Sequence, residues 1–113
     1  MEGIVADRVT KSADDVKLIV FACEAGMGSS LMGANQLKRM IKKAKLDISV
    51  VHTPVGQLTA EADVVVVHKG LAKQAREKAP GAVIVPFTLF MNDPAVKGLV
   101  STLASGGSVV SKL

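Results

Sequence analysis

Four short aliphatic runs constrain this 113-residue chain most tightly. They are Val16–Ala22 (VKLIVFA), Asp47–His52 (DISVVH), Asp63–His68 (DVVVVH) and Ala82–Pro86 (AVIVP). Each is short and reads as a strand; Val16–Ala22 is β-rich and apolar on both faces, and Asp63–His68 reads as fully buried. The segments between them change period. Leu31, Ala34, Leu37, Ile41 and Ala44 recur every three or four residues, with Asn35, Lys38, Arg39 and Lys42 on the opposite side, as in an amphipathic helix. Pro54 ends the second run, and Val55–Thr59 reads as a loop or one helical turn. Leu71, Ala75 and Ala79 mark a short helix stopped by Pro80-Gly81. Val96, Leu99, Val100 and Leu103 mark a last one. Strands alternating with helices predict an α/β fold, a single open sheet of about four parallel strands with helices on both faces and right-handed crossovers.

A hydrophobic content of 49% suffices for a packed core. With three Phe and neither Trp nor Tyr, that core must be aliphatic. The length fits one domain, placed here at residues 15–104. Residues 1–14 read as a tail or linker, and residues 105–113 as a frayed tail opened by Ser105–Ser108 (SGGS). No apolar run approaches the roughly 18 residues that a membrane span needs, so no direct membrane insertion is expected. The charged start, Met1–Val16, lacks the apolar centre of a secretory signal. One cysteine cannot make an internal disulfide, which places the chain in a reducing, cytoplasmic compartment. The net charge of +4 is concentrated in Lys38, Arg39, Lys42, Lys43 and Lys45. This run is either the solvated face of a helix or a docking surface for an acidic partner. Nucleic acid is disfavoured, because no aromatic residues are interleaved to stack on bases.

The chemistry-bearing segment is Cys23–Ser30 (CEAGMGSS), between the first strand and the first helix. In open α/β sheets ligands bind beyond the carboxyl ends of the strands. Gly26 and Gly28 let main-chain amides approach a ligand closely, and successive N–H groups in such a turn make an anion nest. The following helix adds its unsatisfied N-terminal amides and its dipole, and Ser29 and Ser30 add hydroxyls. The same field favours the thiolate of Cys23, provided the Glu24 carboxylate faces solvent. A lone Cys at a strand end can equally be an inert small hydrophobe, and Ser29 and Ser30 can be helix caps alone. The Gly-x-Gly-Ser-Ser continuation favours a phosphate site. The topology is Rossmann-like and resembles low-molecular-weight tyrosine phosphatases. These carry an Arg six residues after the nucleophilic Cys, where this chain has Ser29, and no Arg lies in the loop. Without that bidentate clamp, a hydrolase is a weaker reading than a domain that holds a phosphoryl group and passes it on. Asp93-Pro94 reads as a helix N-cap followed by Pro at the first helical position rather than as a phosphatase general acid.

The run Ala22-Cys23-Glu24-Ala25-Gly26-Met27-Gly28-Ser29-Ser30, followed by Met32-Gly33-Ala34, resembles the active-site loop of mannitol-type enzyme IIB domains of the bacterial phosphoenolpyruvate-dependent sugar phosphotransferase system. The likeness extends to Val64–His68 followed by Lys69-Gly70-Leu71, and covers roughly Val16 to Leu103. It implies that Cys23 accepts a phosphoryl group from a phosphohistidine on an enzyme IIA partner. Cys23 would then pass it to a sugar, mannitol first among candidates, bound by the membrane enzyme IIC. Glu24, Ala25, Gly26, Met27, Gly28, Ser29 and Ser30 would form the cradle. No metal or organic cofactor is implied. The resemblance also implies a cytoplasmic position at the inner face of the membrane, through enzyme IIC. The family often has Asp where this chain has Glu24, which keeps the charge. The chain is either a stand-alone subunit or a domain excised from a fused transporter. An alternative from another class is a IIB-like regulatory module of a transcription regulator.

His68, at a strand's carboxyl end, either lies near the phosphoryl group or is an ordinary strand-end histidine. His52 reads as structural. The two histidines and Cys23 are not spaced as a zinc motif. Met27 and Met32 either pack over the loop or meet a partner, or pack in the core, which is the default reading.

Overall fold

The computed structural model describes residues 9–23, 28–89 and 93–111. Its centre is the predicted sheet. Strands β2 (Leu18–Cys23), β3 (Ser49–Pro54), β4 (Val64–His68) and β5 (Val83–Phe87) are all parallel, in the order β3-β2-β4-β5. Three helices accompany them: α1 (Gly28–Lys43), α2 (Ala72–Lys78) and α3 (Pro94–Ala104). The stretch after Pro54 is one 3-10 turn, Val55–Gln57.

The two sheet faces have separate cores. Ile19, Phe21, Val64, Val66, Val83, Val85 and Phe87 pack with Ala34, Leu37 and Ile41 of α1 and with Val96, Leu99, Val100 and Leu103 of α3. Val20, Ala22, Val65, Val67 and Ile84 pack with Val55, Leu58 and the alanines of α2. This is the period-two alternation of a sheet covered on both sides. The alanine-only stripe of α2 fits because small side chains let that short helix approach the sheet closely.

Leu31, the first member of the predicted stripe, and Met32, read by default as core, both face solvent. They are 50% and 58% exposed on the first turns of α1, so Met32 is not a core residue. The apolar side of α1 begins with Ala34, because the helix start projects past the end of the sheet. Met27 lies outside the described residues.

The segments read as tails contain a second, small sheet. Strands β1 (Thr10–Ser12) and β6 (Ser108–Val110) pair antiparallel. Gly106, at φ 78°, makes the return possible after α3, with Gly107 N–H donating to Thr102 O at 3.0 Å, a helix-ending turn that favours glycine. Val109 joins the α1/α3 core. Ser111 Oγ accepts the Ile84 N–H at 3.1 Å, serving a donor on the edge strand β5. On the other side, Asp63 accepts the N–H groups of Lys17 (2.8 Å) and Leu18 (3.0 Å) and pairs with Lys11 Nζ (3.0 Å). Burial alone would raise its pKa. The Lys17 N–H, the Lys11 ammonium and the Leu18 N–H outweigh burial and hold it below the ordinary 3.8.

A solvated tail and a docked strand predict different outcomes for Val109→Asp. A charge forced into the α1/α3 core costs about 3 kcal/mol. Urea unfolding should therefore show a clear drop in midpoint, whereas a frayed tail would show none.

Candidate active site

The site is built on a reversal of strand order. From β2 the chain steps outward to β3, then returns across β2 to β4. Such switch points open a crevice beyond the strands' carboxyl ends. Cys23 is the last residue of β2, and α1 starts five residues later at Gly28. The first turn of α1 carries no acidic residue, while Lys42 and Lys43 stand in its last turn, an arrangement that suits its dipole. Glu24, Ala25, Gly26 and Met27 of the expected cradle lie outside the described residues. Gly28, Ser29 and Ser30 form the first turn of α1 in backbone, and their side chains lie outside the description.

Strand register decides what surrounds the sulfur. Phe21 pairs with His52 on β3 and with Val66 on β4. Side chains alternate along each strand, so Cys23 and His68, two residues past Phe21 and Val66, lie on the same face as His52. The end of the α1/α3 face therefore carries the row His52, Cys23, His68. Beneath it Phe21 and Phe87 pack at 5.1 Å between ring centroids. His52 lies 6.3 Å from Phe21, and His68 meets Phe87 edge-on at 5.8 Å.

Cys23 is 4% exposed, and its Sγ lies 3.1 Å from His52 Nε2. The contact is a thiol donating to a bare ring nitrogen, or a ring N–H donating to a thiolate. The structural role read for His52 from the sequence thus leaves out its contact with the sulfur. The available signal was that both strands flanking β2 end in a histidine-bearing segment. His68 Nδ1 accepts the Gly70 N–H at 3.1 Å, so the neutral ring carries its proton on Nε2. A Cβ on Gly70 would stand 3.3 Å from that nitrogen, so the close approach of this turn suits glycine.

Asp93 behaves as the sequence predicts. Its Oδ1 accepts from Ala95 N (2.8 Å) and Val96 N (3.4 Å), capping α3 with Pro94 in the first turn. Its Oδ2 accepts from Thr88 N (2.9 Å) and Leu89 N (3.0 Å). Burial would raise its pKa, but the N–H donors of Leu89, Thr88, Ala95 and Val96 hold it below the ordinary 3.8. A carboxylate kept ionised by main-chain donors on both oxygens is a poor proton donor, which weighs against the phosphatase reading.

Comparisons with known proteins agree on a IIB domain of the sugar phosphotransferase system, while the sugars named differ between the family description and the relatives. The family model described as "PTS system, Lactose/Cellobiose specific IIB subunit" matches residues 18–101. The chain is 45% identical over 92 residues to the PTS system mannitol-specific EIICB component of Bacillus subtilis (strain 168), covering 81% of the chain and 19% of that relative. It is 46% identical over 88 residues to the component of that name from Geobacillus stearothermophilus, covering 78% and 19%. With that from Halalkalibacterium halodurans it is 39% identical over 104 residues, covering 92% and 22%. The chain thus spans about a fifth of the length of these relatives.

Proposed function

The chain belongs to the IIB family of the sugar phosphotransferase system, and on that premise we propose that Cys23 is its phosphoryl carrier. Cys23 accepts a phosphoryl group from a phosphohistidine on enzyme IIA and delivers it to a sugar held by membrane enzyme IIC. Mannitol is the proposed sugar, from the names of the relatives. The observation that carries this reading is the placement of the only cysteine at the switch-point end of β2, just ahead of α1, with an imidazole nitrogen 3.1 Å from its sulfur.

The chemistry follows from that placement. A sulfur anion attacks phosphorus in line while the leaving nitrogen departs on the opposite side, and main-chain donors hold the equatorial oxygens as charge redistributes. Residues 24–30 are the proposed source of those donors. His68, with its proton on Nε2, is a proposed second donor to the phosphoryl oxygens. Ser29 in place of a clamping Arg favours passing the group onward over hydrolysis. Leu31 and Met32 on α1 and Leu89 after β5 are exposed apolar groups at the same end of the sheet, suited to transient partners. No described helix is long and apolar enough to cross a membrane. Contact with the membrane is proposed, from the names of the relatives, to run through enzyme IIC on its cytoplasmic side.

The test is to incubate the chain with phosphorylated IIA and map the product by peptide mass spectrometry under conditions that preserve thiophosphate esters. A phosphoryl group on the Cys23 peptide is the expected result, and none on any peptide ends the proposal.

The basic run is a separate question. Lys38, Arg39, Lys42, Lys43 and Lys45 are all exposed. At about 1.5 Å rise per residue, Lys42 and Lys43 stand roughly 20 Å along α1 from its first turn. That exceeds the Debye length of about 8 Å at physiological salt. Reversing both to Glu should change the rate of transfer from IIA by less than about threefold at 0.15 M salt, with a larger effect at low salt. A drop of tenfold or more, measured by rapid quench, would make this flank part of the docking surface.

A further inference from the structure

We infer that His52 takes the proton of the Cys23 thiol and faces the sulfur as a cation through the transfer, an inference that rests on the phosphocysteine reading above. The geometry singles out this ring. Nε2 of His52 is 3.1 Å from Sγ, and the register places both side chains on the Phe21 face. His52 is half-buried and sits on β3, at the edge of the sheet, so it can exchange protons with solvent. His68 is oriented differently, since its Nδ1 is occupied by the Gly70 N–H. Among the described residues, Asp93 is a further ionisable group at this end of the sheet, and its oxygens accept main-chain N–H groups. α1 has no charged residue before Lys38, and Glu24 lies outside the described residues.

The step balances as follows. The S–H proton moves to His52 Nε2, leaving a thiolate beside an imidazolium. A sulfur lone pair attacks the donor's phosphorus, so the S–P bond forms and the P–N bond breaks. The electron pair stays on the donor imidazole, which leaves neutral because its other nitrogen is protonated. His52 keeps the thiol's proton and its charge faces the new phosphocysteine. In the return half a sugar hydroxyl oxygen attacks phosphorus, its proton passes to water, and the S–P electron pair returns to sulfur opposite the imidazolium N–H. Positioned acid–base groups of this kind contribute about 10²–10⁴-fold.

His52→Gln separates proton transfer from contact, because the amide can still hydrogen-bond Sγ but cannot take a proton. Iodoacetamide alkylation of Cys23 in the full chain at pH 7 should slow tenfold or more. The deficit should narrow as the pH rises, because hydroxide then takes the proton that the missing imidazole would have taken. Labelling by phosphorylated IIA should slow about 100-fold. An unchanged alkylation rate at pH 7, or a deficit that does not narrow with rising pH, overturns the inference. His52→Asn supplies the same comparison should His52→Gln fail a circular-dichroism check of folding. The alkylation arm needs no phosphoryl donor. A wild-type chain that takes no label yet shows the pH-dependent deficit would therefore sink the phosphocysteine reading and leave the His52–Cys23 proton transfer standing.

Discussion

Cys23→Ser should abolish phosphoryl relay, lowering transfer from IIA to sugar by at least about 10³-fold, as loss of a covalent nucleophile does elsewhere. The two residues differ by one atom, so the loss must come from chemistry. A serine hydroxyl ionises far less readily than a thiol and is a weak nucleophile without a strong base. Any phosphoserine that formed would be an ordinary oxygen ester, with a poorer leaving group than a thiolate, so the second half-reaction would stall as well. The protein should stay folded. Cys23 is buried at a strand end beside His52, and a hydroxyl can donate to the same Nε2. The measurement pairs a labelling time course with a thermal melt. Residual transfer within tenfold of wild type, in a variant that melts normally, would show that the sulfur is not the carrier.

The sheet was legible because its strands are unusually plain. Runs such as Asp63–His68 are apolar on both faces, which only a doubly covered parallel sheet requires. The observed strands start one or two residues later and end up to two residues later than their patterns predict. Composition alone cannot show where a carboxyl end stops pairing. The small β1–β6 sheet was not legible. Three-residue strands carry no periodicity, and the partners lie nearly a hundred residues apart. The glycines at 106 and 107 read as a loosening tail, although the first makes a left-handed turn. At the site, the cysteine and its approach to a helix start were visible in the order of residues. The contact of His52 with the sulfur was not, because it depends on strand order. His52 flanks Cys23 only if the second strand lies beside the first, and it faces the sulfur only if Phe21 and His52 are in register. Leu31 misled for a related reason: helical spacing shows which side is apolar, not where the sheet beneath it ends.

A stability effect as large as that of Val109→Asp is expected at Asp93. Its carboxylate, 3% exposed, joins the end of β5 to the start of α3 by accepting main-chain N–H groups on both oxygens. Asp93→Ala removes an N-cap, worth about 1 kcal/mol. It also leaves the N–H groups of Thr88 and Leu89 without their acceptor, at about 1 kcal/mol or more each. The sum, about 3 kcal/mol, corresponds to a fall in melting temperature of roughly 12 °C or more for a domain of this size. Asp93→Asn should recover only part of this, because an amide has one acceptor oxygen and its NH₂ group would face a second set of donors. The pH dependence gives an independent check. The folded-state pKa of Asp93 lies below the ordinary 3.8, so its stabilisation is fully present above that value and disappears as pH falls through the depressed folded value. Asp63 shifts in the same direction, so both proteins lose stability in acid, and only the difference between wild type and Asp93→Ala isolates Asp93. That difference should be constant from pH 7 to about pH 5 and narrow below the ordinary aspartate value. A gap that stays the same into strong acid would mean that the side chain stabilises the β5–α3 connection by its bulk rather than by its charge.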